Sequence, residues 1–171
     1  MTRKEKLEKV RSFAVYYGRD GLNKLVDFDM VIVEPAAQSP ISLSELKKRG
    51  ILALAYVSAV EVNKSFVENG LLRSEDLLTV RGQPLENSQY GNYLADLRSK
   101  NWCLLLWDKI GNLLLHGGYD GIFIDTLGDL EWEIIPKTCR ENLYLAAAEF
   151  IMSVRDAFPG HLIVQNNGVN E

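Results

Sequence analysis

Residues 117–129 read GGYDGIFIDTLGD and contain the pattern that decides the fold. Gly117 and Gly118 follow an apolar segment and can adopt the positive φ angles with which helices end. The run Ile122-Phe123-Ile124 is short and wholly apolar, which is typical of a strand buried on both faces of a parallel sheet. Asp125 follows at the carboxyl end of this strand, where ligands bind in α/β folds. Asp125 is therefore a candidate for chemistry, with helix capping as the alternative role.

Four further apolar segments have the composition of buried strands. They cover residues 13–18, 30–33, 51–57 and 162–164. Helices are predicted over 22–28, from Ser42 to Lys48 with a capping box of Ser42 and Glu45, over 101–115 and over 137–157. Residues 64–92 show weak periodicity and are predicted to form a long loop. Because strands and helices alternate, we expect right-handed βαβ units and a parallel sheet.

Two α/β architectures fit this order of elements. One is an open five-stranded sheet, as in flavodoxin-like regulatory domains, but Tyr17 and Val57 stand where a phosphoacceptor site would need acidic residues. The other is a (β/α)8 barrel of the TIM type, which takes ~250 residues. Since the 171-residue sequence stops after a fifth strand, we predict a single barrel domain over 1–171 that is truncated and lacks its C-terminal part. Such a piece would expose two sheet edges, so we also predict self-association.

Composition excludes several classes of protein. A hydrophobic content of 47% with 25% charged residues is that of a soluble globular protein, and a net charge of −4 argues against a nucleic-acid binder. No apolar run reaches the ~18 residues of a membrane span, and the charged N-terminus lacks a signal-peptide core, which predicts a cytoplasmic protein as the sequence stands. The two cysteines and two histidines lack metal-ligand spacing, and no glycine-rich phosphate loop is present. We therefore predict neither a metal nor a cofactor.

Polar and aromatic side chains follow every predicted strand. Carboxylates perform acid/base and nucleophilic work in glycoside cleavage, whereas amides and aromatic rings bind sugars. Asp125 is the candidate catalytic residue. Glu34 precedes a proline and has turn anchoring as its alternative role, whereas two adjacent amides at a strand end gain nothing from burial without partners. The predicted substrate-binding residues are Tyr17, Glu34, Tyr56, Glu61, Asp129, Asn166 and Asn167.

The order of these motifs resembles the polygalactosaminidase-like glycoside hydrolases, a TIM-barrel family. The most specific piece is Gly-Tyr-Asp-Gly followed by three apolar residues and Asp125. The other matching pieces are FAVYYG at 13–18, FDMVIVEP at 28–35, LAYVS at 54–58, ADLR at 95–98 before Trp102, and VQNNG at 164–168. The resemblance extends over nearly the whole chain.

This resemblance implies endo-hydrolysis of an α-1,4-linked polysaccharide that contains galactosamine, with Asp125 as one catalytic carboxylate, either nucleophile or general acid/base. The family's second catalytic carboxylate is a glutamate on a later strand, beyond residue 171, and Glu34 and Glu61 are the alternatives within the chain. Active members carry an amide soon after the aspartate, where this sequence has Thr126-Leu127-Gly128. A carbohydrate-binding barrel without turnover is the alternative function. The family is often extracellular.

Overall fold

A computed structural model describes residues 2–19 and 24–167, and within them the chain forms two compact units. The first unit falls within Met1–Val57, Lys109–Ile124 and Phe158–Val164. The second falls within Ser58–Asp108, Asp125–Ala157 and Gln165–Glu171. The chain therefore passes between the units several times, and two of these passages lie between Ile124 and Asp125 and between Val164 and Gln165.

Strands and helices alternate along the described residues, as the sequence predicts. The strands are β1 (Phe13–Tyr16), β2 (Met30–Val33), β3 (Leu52–Ser58), β4 (Glu61–Asn63), β5 (Thr79–Val80), β6 (Gln83–Pro84), β7 (Glu86–Asn87), β8 (Asn92–Leu94), β9 (Gly121–Asp125) and β10 (Leu162–Gln165). The α-helices are α1 (Arg3–Leu7), α2 (Pro40–Lys48), α3 (Ser65–Glu68), α4 (Lys100–Leu115) and α5 (Lys137–Ala157). Short 3-10 helices cover Pro35–Ala37, Ser74–Asp76 and Leu127–Glu131.

The main sheet has five strands in the order β1-β2-β3-β9-β10. β1, β2 and β3 pair in parallel, with Met30 opposite Phe13 on one side and Leu52 on the other. All four residues of β2 are buried, and Leu52, Leu54 and Leu162 join Met30 in one apolar cluster. This sheet confirms the prediction of a parallel α/β fold, because strands buried on both faces must be apolar throughout.

A glycine brings β9 and β10 close together. A Cβ atom placed on Gly121 would lie 2.1 Å from the carbonyl oxygen of Leu162, so no other residue fits there without moving the backbone. Gly121 therefore has a packing role at the start of the strand that ends in Asp125.

Three local predictions need correction. The cap of α2 is Ser39, whose side chain accepts from the Ser42 backbone N–H; Ser42 lies inside the helix, because Pro40 at the first position already has the φ of a helix. The helix predicted over 22–28 begins outside the described residues, and its part within 24–28 forms turns. Residues 64–92 are not a structureless loop.

The second unit contains two small antiparallel sheets whose strands lie within the predicted loop or directly beside it. One has the order β4-β8-β7, and the other pairs β5 with β6. These strands are two or three residues long, too short for an alternating pattern to be visible in the sequence. The first sheet carries Glu61 at the start of β4, which makes it part of the candidate site.

Candidate active site

Asp125 is the last residue of β9 and is fixed by an amide. Its Oδ1 atom accepts a hydrogen bond of 2.8 Å from Nδ2 of Asn166, which directly follows β10. Asp125 is half-buried and Asn166 is exposed, so the pair has access to solvent. Neighbouring strands of a parallel sheet bring their carboxyl ends to the same edge, which explains why residues 41 positions apart meet here.

Thr126 connects this strand end to the segment after β3. Its φ of 71° lies in the left-handed region, which is unfavourable for a β-branched residue. In this conformation Oγ1 donates to the Asp125 carbonyl at 2.6 Å and accepts from the backbone N–H groups of Ala59 and Val60, both at 3.1 Å. The Ala59 N–H also bonds to the Asp125 carbonyl at 2.9 Å. The strained residue thus holds residues 58–61 against Asp125.

Glu61 is held by two amide side chains. Its Oε1 accepts from Asn87 at 2.6 Å and its Oε2 accepts from Asn92 at 2.8 Å. Asn87 lies directly opposite Asn92 in the β7–β8 pair, and Glu61 is on β4, the other neighbour of β8. Both carboxylate oxygens therefore have a donor, which fixes the side chain in one orientation.

Asp129 lies in the 3-10 helix Leu127–Glu131, close to Glu61 and Asp125. Burial and the hydrogen bond with the Glu61 carboxylate raise the pKa of Asp129 from 3.8 to about 7, with a further increase from the charge of Asp125. The indole N–H of Trp132 donates to Asp129 and opposes this increase. The three carboxyl groups thus form one electrostatically connected group in the second unit.

The remaining predicted site residues have other surroundings. In the first unit the rings of Tyr17 and Tyr56 meet edge to face, with centroids 5.3 Å apart. Glu34, also in that unit, accepts from the Ala36 backbone N–H at 3.2 Å and caps a 3-10 helix, which was its alternative role. Asn167 has a φ of 55°, and its carbonyl accepts from the Gln165 side chain at 2.8 Å. Of the predicted set, Asp125, Glu61, Asp129 and Asn166 are therefore the ones that the second unit brings together.

Four residues of the site were missed from the sequence. Thr126, Asn87, Asn92 and Trp132 contact the carboxylates or their backbone. The two asparagines lie in strands too short to recognise, and nothing in the sequence marks a threonine for positive φ. Asn87 lies in a run of four polar residues, 86–89, which gives no alternating pattern.

A separate cavity of about 540 Å³ lies between α4 and α5 in the second unit. Leu104, Trp107, Leu145 and Phe150 contribute to its lining, and none of the three clustered carboxylates does. Its walls are mainly apolar, and its lining includes one acid, Glu149, and one amide, Asn142, so it lacks the pair of carboxyl groups that glycoside chemistry requires. We therefore assign the candidate site to the carboxylate group rather than to this cavity.

Two absences apply to the described part of the chain. Within residues 2–19 and 24–167, no group of three or more His, Cys, Asp or Glu side chains is arranged to hold a metal ion. Over the same residues, no helix combines the length and apolarity that crossing a membrane requires.

Comparison with known proteins identifies the class of fold. No protein-family model matches the sequence. No curated protein matches it either. Solved structures do match, and glycoside hydrolases are among them: the α-galactosidase TtGalA from Thermus thermophilus is 13% identical, with a TM-score of 0.63 over 91% of this chain and 38% of that one. The chain therefore has a glycoside-hydrolase fold of the TIM-barrel type.

The particular likeness is to polygalactosaminidase-like enzymes. The glycoside hydrolase domain of PelA from Pseudomonas aeruginosa is 28% identical, with a TM-score of 0.79 over 93% of this chain. Ega3 from Aspergillus fumigatus, solved in complex with galactosamine, is 14% identical, with a TM-score of 0.59 over 87% of this chain and 61% of that one. The chain spans 60% of the length of the PelA domain. It has a polygalactosaminidase-like glycoside hydrolase fold, as the sequence motifs predict.

Proposed function

We propose that the chain belongs to a glycosidase that cleaves an α-1,4-linked polysaccharide containing galactosamine, and that Asp125 is one of its catalytic carboxylates. The observation that carries this proposal is the position of Asp125 at the end of β9, held by Asn166 and accompanied by Glu61 and Asp129. The fold likeness to the PelA domain supports it.

Glycoside hydrolysis requires two carboxyl groups with different roles. One protonates the leaving oxygen, and the other attacks the anomeric carbon or activates water. Asp125 is exposed enough to reach a substrate, whereas Glu61 is tied to two amides and Glu34 caps a helix. We propose that the second carboxylate is a glutamate that follows residue 171, because this chain spans 60% of the PelA domain.

The proposed substrate follows from charge and from the Ega3 likeness. Ega3 was solved with galactosamine, whose amine is a cation near neutral pH. A group of carboxylates attracts such a cation, and the net charge of −4 adds to this attraction. Asn166 and Asn167, in the second unit, are proposed to contact sugar hydroxyls. Tyr17 and Tyr56, in the first unit, remain predicted substrate-binding residues.

The test is hydrolysis of a partially acetylated α-1,4-galactosamine polymer, followed through new reducing ends. Asp125→Asn is expected to reduce the rate at least about 10²-fold, since removing a group of this kind removes its whole contribution to the barrier. Asp156→Asn, an exposed position on α5, is the matched control and should retain the wild-type rate. Equal rates in Asp125→Asn and wild type would rule out a catalytic role for Asp125.

A carbohydrate-binding protein without turnover is the second candidate. It is favoured by the two hydrogen bonds that Glu61 accepts from the amide side chains of Asn87 and Asn92, because they engage both oxygens of a carboxylate that lies near Asp125. Calorimetric binding of the same polymer, with no reducing ends released over a day, would favour this candidate. Release of reducing ends would exclude it.

We also propose that the chain associates with itself through the edge of the main sheet. β1 is the first strand in the sheet order, and Phe13 and Val15 on one of its faces are 58% and 42% exposed. An edge strand that exposes alternating apolar residues is a template for pairing with another copy.

A further inference from the structure

Asp129 has a buried oxygen that lacks a donor. Its Oδ2 atom is buried and, within the part of the chain that the structure describes, receives no hydrogen bond. The Trp132 indole donates to the same carboxyl group, and the Glu61 carboxyl group lies within hydrogen-bonding reach. A buried carboxylate oxygen without a donor destabilises the folded chain, and more so if the group is charged. A proton on Asp129 would remove this cost.

Glu61 can accept a hydrogen bond from a protonated Asp129, but it does not donate one. Each of its oxygens already accepts from an amide, Asn87 on one side and Asn92 on the other. Two ionised carboxylates in contact repel each other, so the contact between Glu61 and Asp129 needs one shared proton. Because Asp129 is the partner with the unsatisfied oxygen, it is the one that holds the proton.

The charges around Asp129 favour the same assignment. Glu61 faces it from β4 and Asp125 from the end of β9, and both are acidic. From α5, which packs on this 3-10 helix, Arg140 directs its guanidinium to the carbonyl groups of Trp132 and Ile135, at 2.9 and 3.1 Å. The acidic Glu131 lies on the same 3-10 helix as Asp129. The local field is therefore set mainly by negative groups.

We propose that Asp129 is a positioning residue that remains a neutral acid, donates a hydrogen bond to Glu61, and so limits the charge of the three carboxyl groups, Asp125 included, to that of two carboxylates. The assignment of the proton stands on the contacts of Asp129 and Glu61, while the importance of the charge beside Asp125 rests on the proposed glycosidase function. Asp129 lies on a short 3-10 helix that begins directly after the strained Thr126. The proton on Asp129 is therefore close in the chain to the strand end that carries Asp125.

The effect of pH follows from the raised pKa of Asp129. Burial and Glu61 raise that pKa from 3.8 to about 7, so between these values the folded chain binds a proton that the unfolded chain has released. The free energy of unfolding should therefore decrease as the pH rises from about 4 to about 7, and this loss should level off above 7. In the same interval the site gains a third negative charge, and the Asp129–Glu61 contact opens.

The test is a pH titration of the side-chain carboxyl carbons by NMR, with Asp129→Asn used to assign the resonance. Wild type should show one aspartate carbon with a midpoint near pH 7, and Glu61→Gln should lower this midpoint by at least one pH unit. Asp156→Asn is the control and should leave the midpoint unchanged. If Glu61→Gln does not fold, Asp125→Asn replaces it and should lower the midpoint by a smaller amount. An Asp129 midpoint near 4 in wild type would overturn the proposal.

Denaturant unfolding at several pH values gives a second, independent readout. Asp129→Asn keeps a donor for Glu61 at every pH, so its stability should decline less than that of wild type between pH 4 and 7. Equal declines in the two proteins would overturn the proposal. Neither measurement needs turnover. An Asp129 midpoint near 7 in a chain that neither binds nor cleaves the polymer would overturn the glycosidase proposal alone. An Asp129 midpoint near 4 in an active chain would overturn the proton assignment alone.

Discussion

At the scale of single residues, some side chains of the site could be predicted from the sequence and others could not. Asp125 could be predicted because hydrophobicity stops there, at the end of a buried strand. Thr126 could not, because its contribution arises from a positive φ that the sequence disfavours and that only the surrounding hydrogen bonds maintain. The contacts of Glu61 could not be predicted either, since they depend on the register of strands only two or three residues long.

Replacing Thr126 by valine tests the role of its hydroxyl. Valine is also β-branched and keeps the same strain at positive φ, but it leaves the Val60 backbone N–H without an acceptor. We expect Thr126→Val to lower the free energy of unfolding by about 1–3 kcal/mol, measured by urea denaturation.

Thr126→Gly is the matched control for backbone strain. It loses the same hydroxyl but adopts positive φ without cost, so its loss of stability should be smaller than that of the valine variant. If the valine variant were as stable as wild type, the hydroxyl would have no structural role.

At the scale of elements, the long apolar and amphipathic segments were predictable and the short ones were not. The five main strands and α4 and α5 occur where the sequence predicts them, because buried strands and long amphipathic helices carry strong periodic signals. The cap of α2 lies three residues before the predicted one, since Ser39 and Ser42 both fit a capping pattern and only Pro40 distinguishes them. The small sheets over residues 61–94 were missed because their strands are too short to show such a period.

Gly121 provides a prediction for the pairing of β9 with β10. A methyl group there would lie 2.1 Å from the Leu162 carbonyl oxygen, so Gly121→Ala must separate the two strands. We expect it to lower the free energy of unfolding by more than about 2 kcal/mol in a denaturant titration, in the range of overpacking in a core.

Gly160→Ala serves as the comparison for that variant. No atom lies within 4 Å of a Cβ placed at Gly160, and its φ is not in the left-handed region. Its stability should therefore remain within about 0.5 kcal/mol of wild type. A tolerated alanine at 121 would mean that β9 and β10 do not approach as described.

At the scale of the whole molecule, the sequence was sufficient to predict the class of fold. The order of apolar strands and the motif around Asp125 indicated a polygalactosaminidase-like barrel, and the likeness to the PelA domain confirms that fold. The single-domain organisation remains a prediction. The substrate could be predicted only as a class, because sugar identity depends on hydroxyl and amine contacts that no strand pattern encodes.

Self-association belongs to this scale, and a lysine on β1 tests it. Val15 is 42% exposed on the edge strand, and a charge there opposes pairing between sheet edges. Sedimentation velocity of wild type should show a weight-average mass that rises with concentration, whereas Val15→Lys should remain monomeric. Ala157→Lys adds the same charge at an exposed position on α5 and should associate like wild type. A wild type that stays monomeric at all concentrations would contradict the prediction.

The central claim is that Asp125 lies in a carbohydrate site formed with Asn166, Glu61 and Asp129. The most direct measurement is an NMR titration of the chain with a short α-1,4-galactosamine oligomer. We predict saturable shifts of the Asn166 side-chain amide and of the carboxyl carbons of Asp125 and Asp129, with weaker binding in Asp125→Asn. Shifts confined to the cavity between α4 and α5, or no shifts at millimolar oligomer, would contradict the account.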